Sequence, residues 1–293
     1  MVAPDDRSPP VLPFAVFTVL IVAIAFLLPP MHSGSAPGEL ERTLESELEA
    51  KVGRVVGWER ERERALEALA DERTLHEALG DGEALERALA RACLGFDGCA
   101  IYQPDGRKIV DFRARSTPSA LIERAARGRT VLGPLTWTDS LGRSVPRDAS
   151  AGRPQWSVSF ATPMVDDTVV RAVLVGRARA DRQLDPLLSA DRPGRTGETY
   201  LVGRDGFMVT RSRFGVRPTA RRDAPLVFDR PAVAVLDGAG LTRAARAAAH
   251  HRSGIDLSGY RDYRGVRVVG AWRWLDGLEA GVITEMDAAE AYR

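Results

Sequence analysis

The sequence predicts an α+β protein in which an N-terminal membrane helix and a long stalk helix precede two tandem modules with antiparallel sheets. Three observations carry that reading. Val11 to Leu28 is an uncharged run long enough to cross a bilayer. Leu40, Leu44, Leu48, Val52 and Val55 form one stripe at helical spacing. After that stripe, one order of strand and helix patterns occurs twice.

As a helix, Val11–Leu28 would span about 27 Å, against a hydrocarbon thickness of about 30 Å. Pro13 falls in its first turn, where proline is tolerated, and Pro29-Pro30 ends it. Residues 1–10 would then be a cytoplasmic N-terminus. A cleaved signal peptide is the competing reading, with small residues at Ser33 to Ala36 for cleavage. The leading segment, however, carries Asp5 and Asp6 beside a single Arg7 and lacks the usual basic stretch. The expectation is an uncleaved anchor.

The stalk is expected over residues 37–80. Its stripe resumes at Leu66 and Leu69 after the charged run from Glu59 to Arg64, giving a rod of about 60 Å. Such a stripe either packs along the flank of a domain or pairs with a second copy. A homodimer through this helix is therefore expected.

The first module is placed at 90–178. Cys99–Tyr102 and Lys108–Phe112 flank Pro104-Asp105-Gly106, a hairpin signature. Thr117-Pro118 opens an amphipathic helix, Ser119 to Arg127, closed by Gly128. Strand patterns follow at Thr130–Trp137, Trp156–Thr162 and Thr168–Val175. A linker helix at 181–192 leads to a second module at 194–287. There Glu198–Val202 and Phe207–Arg211 flank a Gly203-Arg204-Asp205-Gly206 turn. Helical stretches near Pro231–Asp237 and at Leu241–His251 precede strands at Ile255–Tyr263, Val266–Trp274 and Ala280–Met286. An exit helix starts at 288–293 on Asp287 as an acidic cap.

The net charge of +1 over 293 residues gives no reason to expect nucleic acid as a partner. Cys93 and Cys99 read either as two small buried hydrophobes or as a local disulfide outside the cytoplasm. No catalytic motif is present: there is no G-x-S-x-G, no H-E-x-x-H and no phosphate-binding glycine loop. His76-Glu77 lacks a second histidine four positions on, and His250-His251 suits a helix end. No catalytic residue, metal ligand or cofactor is nominated, and the chain is not expected to be an enzyme.

Polar groups mixed with aromatics on the strands of the first module are the candidate ligand-binding residues. Trp137 and Asp139 are two apart and would share a strand face; Trp156 opens the next strand, followed by Ser157 and Ser159. Asp111 and Arg113 put opposite charges on another strand, a pairing suited to a ligand with both a carboxylate and an amine. In the second module Tyr200, Trp272 and Trp274 read as core.

Residues Thr196 to Gly203 (TGETYLVG) with Asp205-Gly206, then Tyr263-Arg264-Gly265, Gly270-Ala271-Trp272 and the closing Glu285-Met286-Asp287-Ala288-Ala289-Glu290-Ala291, resemble the membrane-proximal half of double Cache (dCache) sensor domains. The resemblance covers about a third of the chain in motif; residues 90–178 match in layout. It implies two PAS-like (Cache) modules on one long helix, outside the inner (cytoplasmic) membrane, in the periplasm or beyond. It also implies a small polar ligand in the distal module and helix movement passed across the membrane to a signalling output, as in chemoreceptors, sensor kinases and cyclases. The amino-acid-sensing subgroup carries an arginine just before a tryptophan in the distal module. Leu135-Thr136-Trp137-Thr138 lacks it, so amino-acid binding is not expected. The alternative is a membrane-anchored structural or protein-interaction module without a small-molecule ligand.

Overall fold

A computed structural model describes residues 37–114, 117–138, 155–214 and 240–293. The apolar run Val11–Leu28 and the helix expected near Pro231 lie outside these. Among the described residues no helix is long and apolar enough to cross a membrane.

The stalk helix α1 spans Pro37–Ala70, ten residues short of the expected end at residue 80. Glu72 takes an extended conformation, and the chain re-enters helix as α2 (Arg73–Ala78) and α3 (Gly82–Ala92). Helical composition runs through the break, so pattern alone did not place it. Asp81 caps α3 by accepting from the Glu83 and Ala84 amides, 3.1 Å each.

The apolar stripe of α1 is spent within the chain. Leu40, Leu44, Leu48, Val55, Trp58, Leu66 and Leu69 are all buried, and one core runs from them into both modules. Lys51 interrupts the stripe and is fully buried. Its ammonium donates to the carbonyls of Ala190 and, at 2.7 Å, Asp191. It also pairs with Glu47 at 3.1 Å. A cation at this point in the stripe satisfies carbonyls that end the linker helices, here α5 (Ala180–Gln183) and α6 (Asp185–Ser189).

The first sheet has the order β2-β1-β6-β5-β3, with β4 also paired to β5. Its strands are β1 (Gly98–Tyr102), β2 (Lys108–Phe112), β3 (Val131–Leu132), β4 (Thr136–Thr138), β5 (Gln155–Asp166) and β6 (Val169–Arg179). The expected strand Thr130–Trp137 is two short ones, interrupted at Gly133-Pro134, because proline cannot donate to a ladder. One face, with Val158, Phe160 and Leu174, packs on α1. Gly176 is needed there: a Cβ would come within 2.8 Å of Phe96 and Leu66 side-chain atoms. The other face lies under α4 (Ser119–Ala125), which contributes Leu121, Ile122 and Ala125. Cys93 and Cys99 form a disulfide, tying the end of α3 to β1.

The second sheet, β7-β10-β9-β8, repeats the plan with β7 (Glu198–Gly203), β8 (Gly254–Arg261), β9 (Arg267–Leu275) and β10 (Ala280–Asp287). Leu201, Val269, Ala271 and Val282 belong to the core that includes α1. Tyr200, Val202, Val268, Trp272 and Ile283 pack under α7 (Arg243–Ala249). The expected strand Phe207–Arg211 is reduced to bridge residues at Phe207 and Met208, with Met208 paired to Val202. The exit helix α8 (Ala288–Ala291) is tied back to the start of its module. The Glu290 carboxylate accepts the amides of Arg195 and Thr196, both at 2.7 Å, and the Thr196 hydroxyl at 2.5 Å.

Candidate functional site

Strand register decides which side chains share a surface. Across the first sheet Asp111 pairs with Ala100, Ala100 with Val175, and Val175 with Ala161. The next row joins Gly98, Arg177 and Ser159. Paired residues in antiparallel strands point the same way, so Asp111, Arg177 and Ser159 stand on the face under α4. Arg113, two residues after Asp111, bridges to Cys99 at the sheet margin.

Arg177 is the residue that sequence reasoning missed. Only 3% of it is exposed, and its Nη2 donates to the Arg113 carbonyl oxygen at 2.8 Å. The signal was available: Val173, Val175 and Arg177 occupy one face of a strand, and the third is charged. Asp111 accepts from Lys108 Nζ at 2.6 Å. Arg113 itself is exposed, holds φ at +57°, and lays its guanidinium over the Phe112 ring, 4.9 Å from the centroid. The Ser159 carbonyl accepts the Gly133 amide at 2.8 Å, leaving its hydroxyl on the α4 face. Buried hydroxyls extend that face along β4 and β5, where Thr138 and Ser157 bond at 2.8 Å.

The two indoles occupy different ground. Trp156 shares its parity with Val158 and Phe160, and so belongs to the face toward α1. Its Nε1 donates to the Met208 carbonyl oxygen of the second module at 3.1 Å. Trp137 packs edge-on against it, with ring centroids 5.2 Å apart. The structure therefore gathers Asp111 and Ser159 on one face, with Arg113 at its margin, and pairs Trp137 with Trp156 on the other. Asp139 lies outside the described residues.

An apolar wall with a carboxylate, a buried guanidinium and hydroxyls is what a small polar molecule needs for orientation and charge-assisted hydrogen bonds. A separate open cleft of about 750 Å³ lies at the tips of the β1–β2 and β5–β6 hairpins, lined by His76, Gln103, Ile109, Asp166 and Arg171. It shares none of the residues of the Arg177 row.

The second module's face under α7 is filled. Tyr200, Trp272 and Trp274 are all at least nine-tenths buried, as core residues are. Glu198 and Glu285 are buried with them. Desolvation holds the Glu285 carboxyl up at about 8.

No protein-family model matches the chain, and no curated protein matches it either. Solved structures do. The chain is similar to the ligand-binding domain of the Pseudomonas fluorescens chemoreceptor CtaA in complex with L-isoleucine, with 15% identity over 90% of this chain and 99% of that one, at a TM-score of 0.52. It is also similar to the ligand-binding domain of the Pseudomonas aeruginosa amino-acid chemoreceptor PctB in complex with L-Arg, at 16% identity, 87% and 98% coverage and a TM-score of 0.51. A third is the extracellular domain of mmHK1S-Z2, described as a histidine kinase, at 12% identity, 86% and 98% coverage and a TM-score of 0.53. Two antiparallel sheets, each with one face on a shared long helix and one under its own short helix, are thus the fold of the double Cache sensor domains of chemoreceptors and kinases.

Proposed function

We propose that the chain is an extracytoplasmic sensory module, anchored in the inner membrane, that binds a small polar ligand in its first module and passes a helix displacement to a signalling output. The observation that carries this reading is the face under α4, where Arg177 is buried in line with Ser159 and one row from Asp111. A guanidinium held in place on this buried face keeps its charge and can offer charge-assisted hydrogen bonds to a small anionic or polar group. The fold likeness supports sensing, and the neighbours' own ligands are L-isoleucine and L-arginine. The Cys93–Cys99 disulfide supports an oxidising compartment, hence the outer side of the membrane. Ligand bound between β5, β6 and α4 would favour one sheet position over another. Differential affinity of a few kcal/mol is enough to move such a population.

Thermal-shift screening of residues 34–293 against amino acids, organic acids, amines and nucleobases tests the reading. A ligand at about 100 times its Kd stabilises by about 2.7 kcal/mol, which raises the melting temperature by several degrees. The rise is expected to vanish in Arg177→Ala. A broad panel without a single shift favours the interaction-module alternative. A homodimer through α1 would have to use the helix's outer face, since the apolar stripe is buried within the chain. Sedimentation as a monomer at high concentration would count against it.

A further inference from the structure

Glu198 and Glu285 stand directly opposite each other across the β7–β10 ladder, 5% and 3% exposed. Side chains so paired are neighbours on one face, where two negative charges repel. Among the described residues neither carboxylate has an ion-pair partner within 4 Å. Hydroxyls hold them instead. Tyr260 and Tyr200 donate to the two Glu285 oxygens at 2.7 and 2.9 Å. The Tyr263 hydroxyl donates to Glu198, as does the Arg213 amide at 2.7 Å.

The remaining charges around the pair do not neutralise it. On the β8–β9 turn, Asp262 adds a third buried carboxylate, and the Arg264 guanidinium is committed to Asp262 and Asp287 at 2.5 and 2.6 Å. Asp256 on β8 is engaged by Arg243 of α7 at 2.5 Å. From β9 the register partner is Gly270, and a Cβ there would come within 2.6 Å of the Tyr260 hydroxyl and 2.9 Å of the Glu285 side chain. The strand leaves the space that the Tyr260–Glu285 bond fills. Burial first, with the charges of Asp262 and Glu198, pushes the Glu285 carboxyl up against the lowering pull of the Tyr260 and Tyr200 hydrogen bonds. Burial likewise raises Glu198 against its bonds from Tyr263 and the Arg213 amide and the charge of Arg264.

We propose that this tyrosine-cradled pair makes the second module a proton-reading input: Glu285 holds a proton in neutral medium and releases it to solvent as the medium turns alkaline, leaving two like charges facing across β7–β10. Glu285 lies two residues before Asp287, which stands at the start of the exit helix α8 and whose carboxylate is engaged by Arg264 rather than by a helix amide. Repulsion in the ladder therefore acts at the root of that helix. This input needs no ligand in the first module and stands whether or not one is found.

The test follows the protonated-carboxyl infrared signal and α8 amide exchange in the full chain between about pH 6 and about 9.5. Wild type is expected to lose a carboxyl signal with a midpoint of about 8, and Glu285→Gln to lack that signal. Exchange of α8 amides, corrected for the base-catalysed intrinsic rate, is expected to rise about tenfold in wild type and stay flat in Glu285→Gln. Should that variant not fold, Glu198→Gln serves: removing the facing charge is expected to lower the wild-type midpoint by about one unit. A signal that survives in Glu285→Gln, one already absent at about pH 6, a midpoint unmoved in Glu198→Gln, or equal exchange rises in wild type and Glu285→Gln would each overturn the proposal.

Discussion

The Trp156 indole donates to the Met208 carbonyl oxygen, so a strand of the first sheet is hydrogen-bonded to the second module. A second tie, from the Leu135 amide to the Leu278 carbonyl at 3.1 Å, lies nearby. Because residues alternate along β5, Ser159 faces the candidate ligand surface while Trp156 faces the neighbouring module. One strand thus carries both.

Trp156→Phe keeps most of the apolar volume and removes the donor. The stranded carbonyl and lost contact are expected to cost about 2 kcal/mol, lowering the melting temperature by about 5 °C. Thermal denaturation followed by circular dichroism measures it; a change below about 1 °C would mean the bond contributes nothing.

Lys51→Met fits an apolar side chain to the stripe of α1 but removes the ammonium from the Asp191 carbonyl and leaves the Ala190 carbonyl with only the 3.3 Å bond from Arg54. The expected loss is about 2–3 kcal/mol. Amide exchange over 187–195 should accelerate while β1 and β6 stay protected. Uniform acceleration would show that Lys51 does not act locally.

Glu59 of α1 lies beside Gly277 of the β9–β10 turn, and its Oε1 has no hydrogen-bond partner. Desolvation first, then repulsion from Glu63, raises its carboxyl from 4.5 to about 7. The folded protein therefore holds a proton that the unfolded chain releases, and stability falls as pH rises from about 4.5 to about 7. Allowing for partial exposure, the loss is about 2 kcal/mol. Urea unfolding at intervals across that window should show Glu59→Gln with the shallower slope; parallel profiles would refute the assignment.

The disulfide closes a loop of six residues, for which chain-entropy arguments give about 2 kcal/mol. Cys93→Ser with Cys99→Ser, or dithiothreitol on the wild type, should lower the melting temperature to a similar degree. Thiol titration of the untreated protein should find no free thiol; two would place the chain in a reducing compartment.

Much of the fold was legible because local patterns and tertiary demands agree. Pro104-Asp105-Gly106 joins β1 and β2, and Asp166-Asp167 joins β5 and β6, with Asp167 at φ +56° as the turn requires. The end of α1 was not legible, since Asp71 and Glu72 are compatible with helix and only packing of α2 and α3 decides against it. The placement of the candidate residues was legible in part, for a geometric reason. Alternation shows which residues share a face, but not which face is the open one. Trp156 and Ser159 are three apart, so alternation already sets them on opposite faces; they were grouped by residue type, and the strand turns Trp137 and Trp156 toward the other module. Arg177 was missed because the expected strand ended at Val175, two residues short of it, and the Glu198–Glu285 opposition depends on a register between strands about 85 residues apart, which no local pattern encodes.

The clasp of Glu290 on Arg195 and Thr196 gives the last helix a second anchorage besides the strand that precedes it. Three hydrogen bonds hold that carboxyl down at about 2, so the grip persists well into the acid range. A displacement of α8 would pull at once on Arg195 and Thr196, where the second lobe begins. Doorway and way out are one lever.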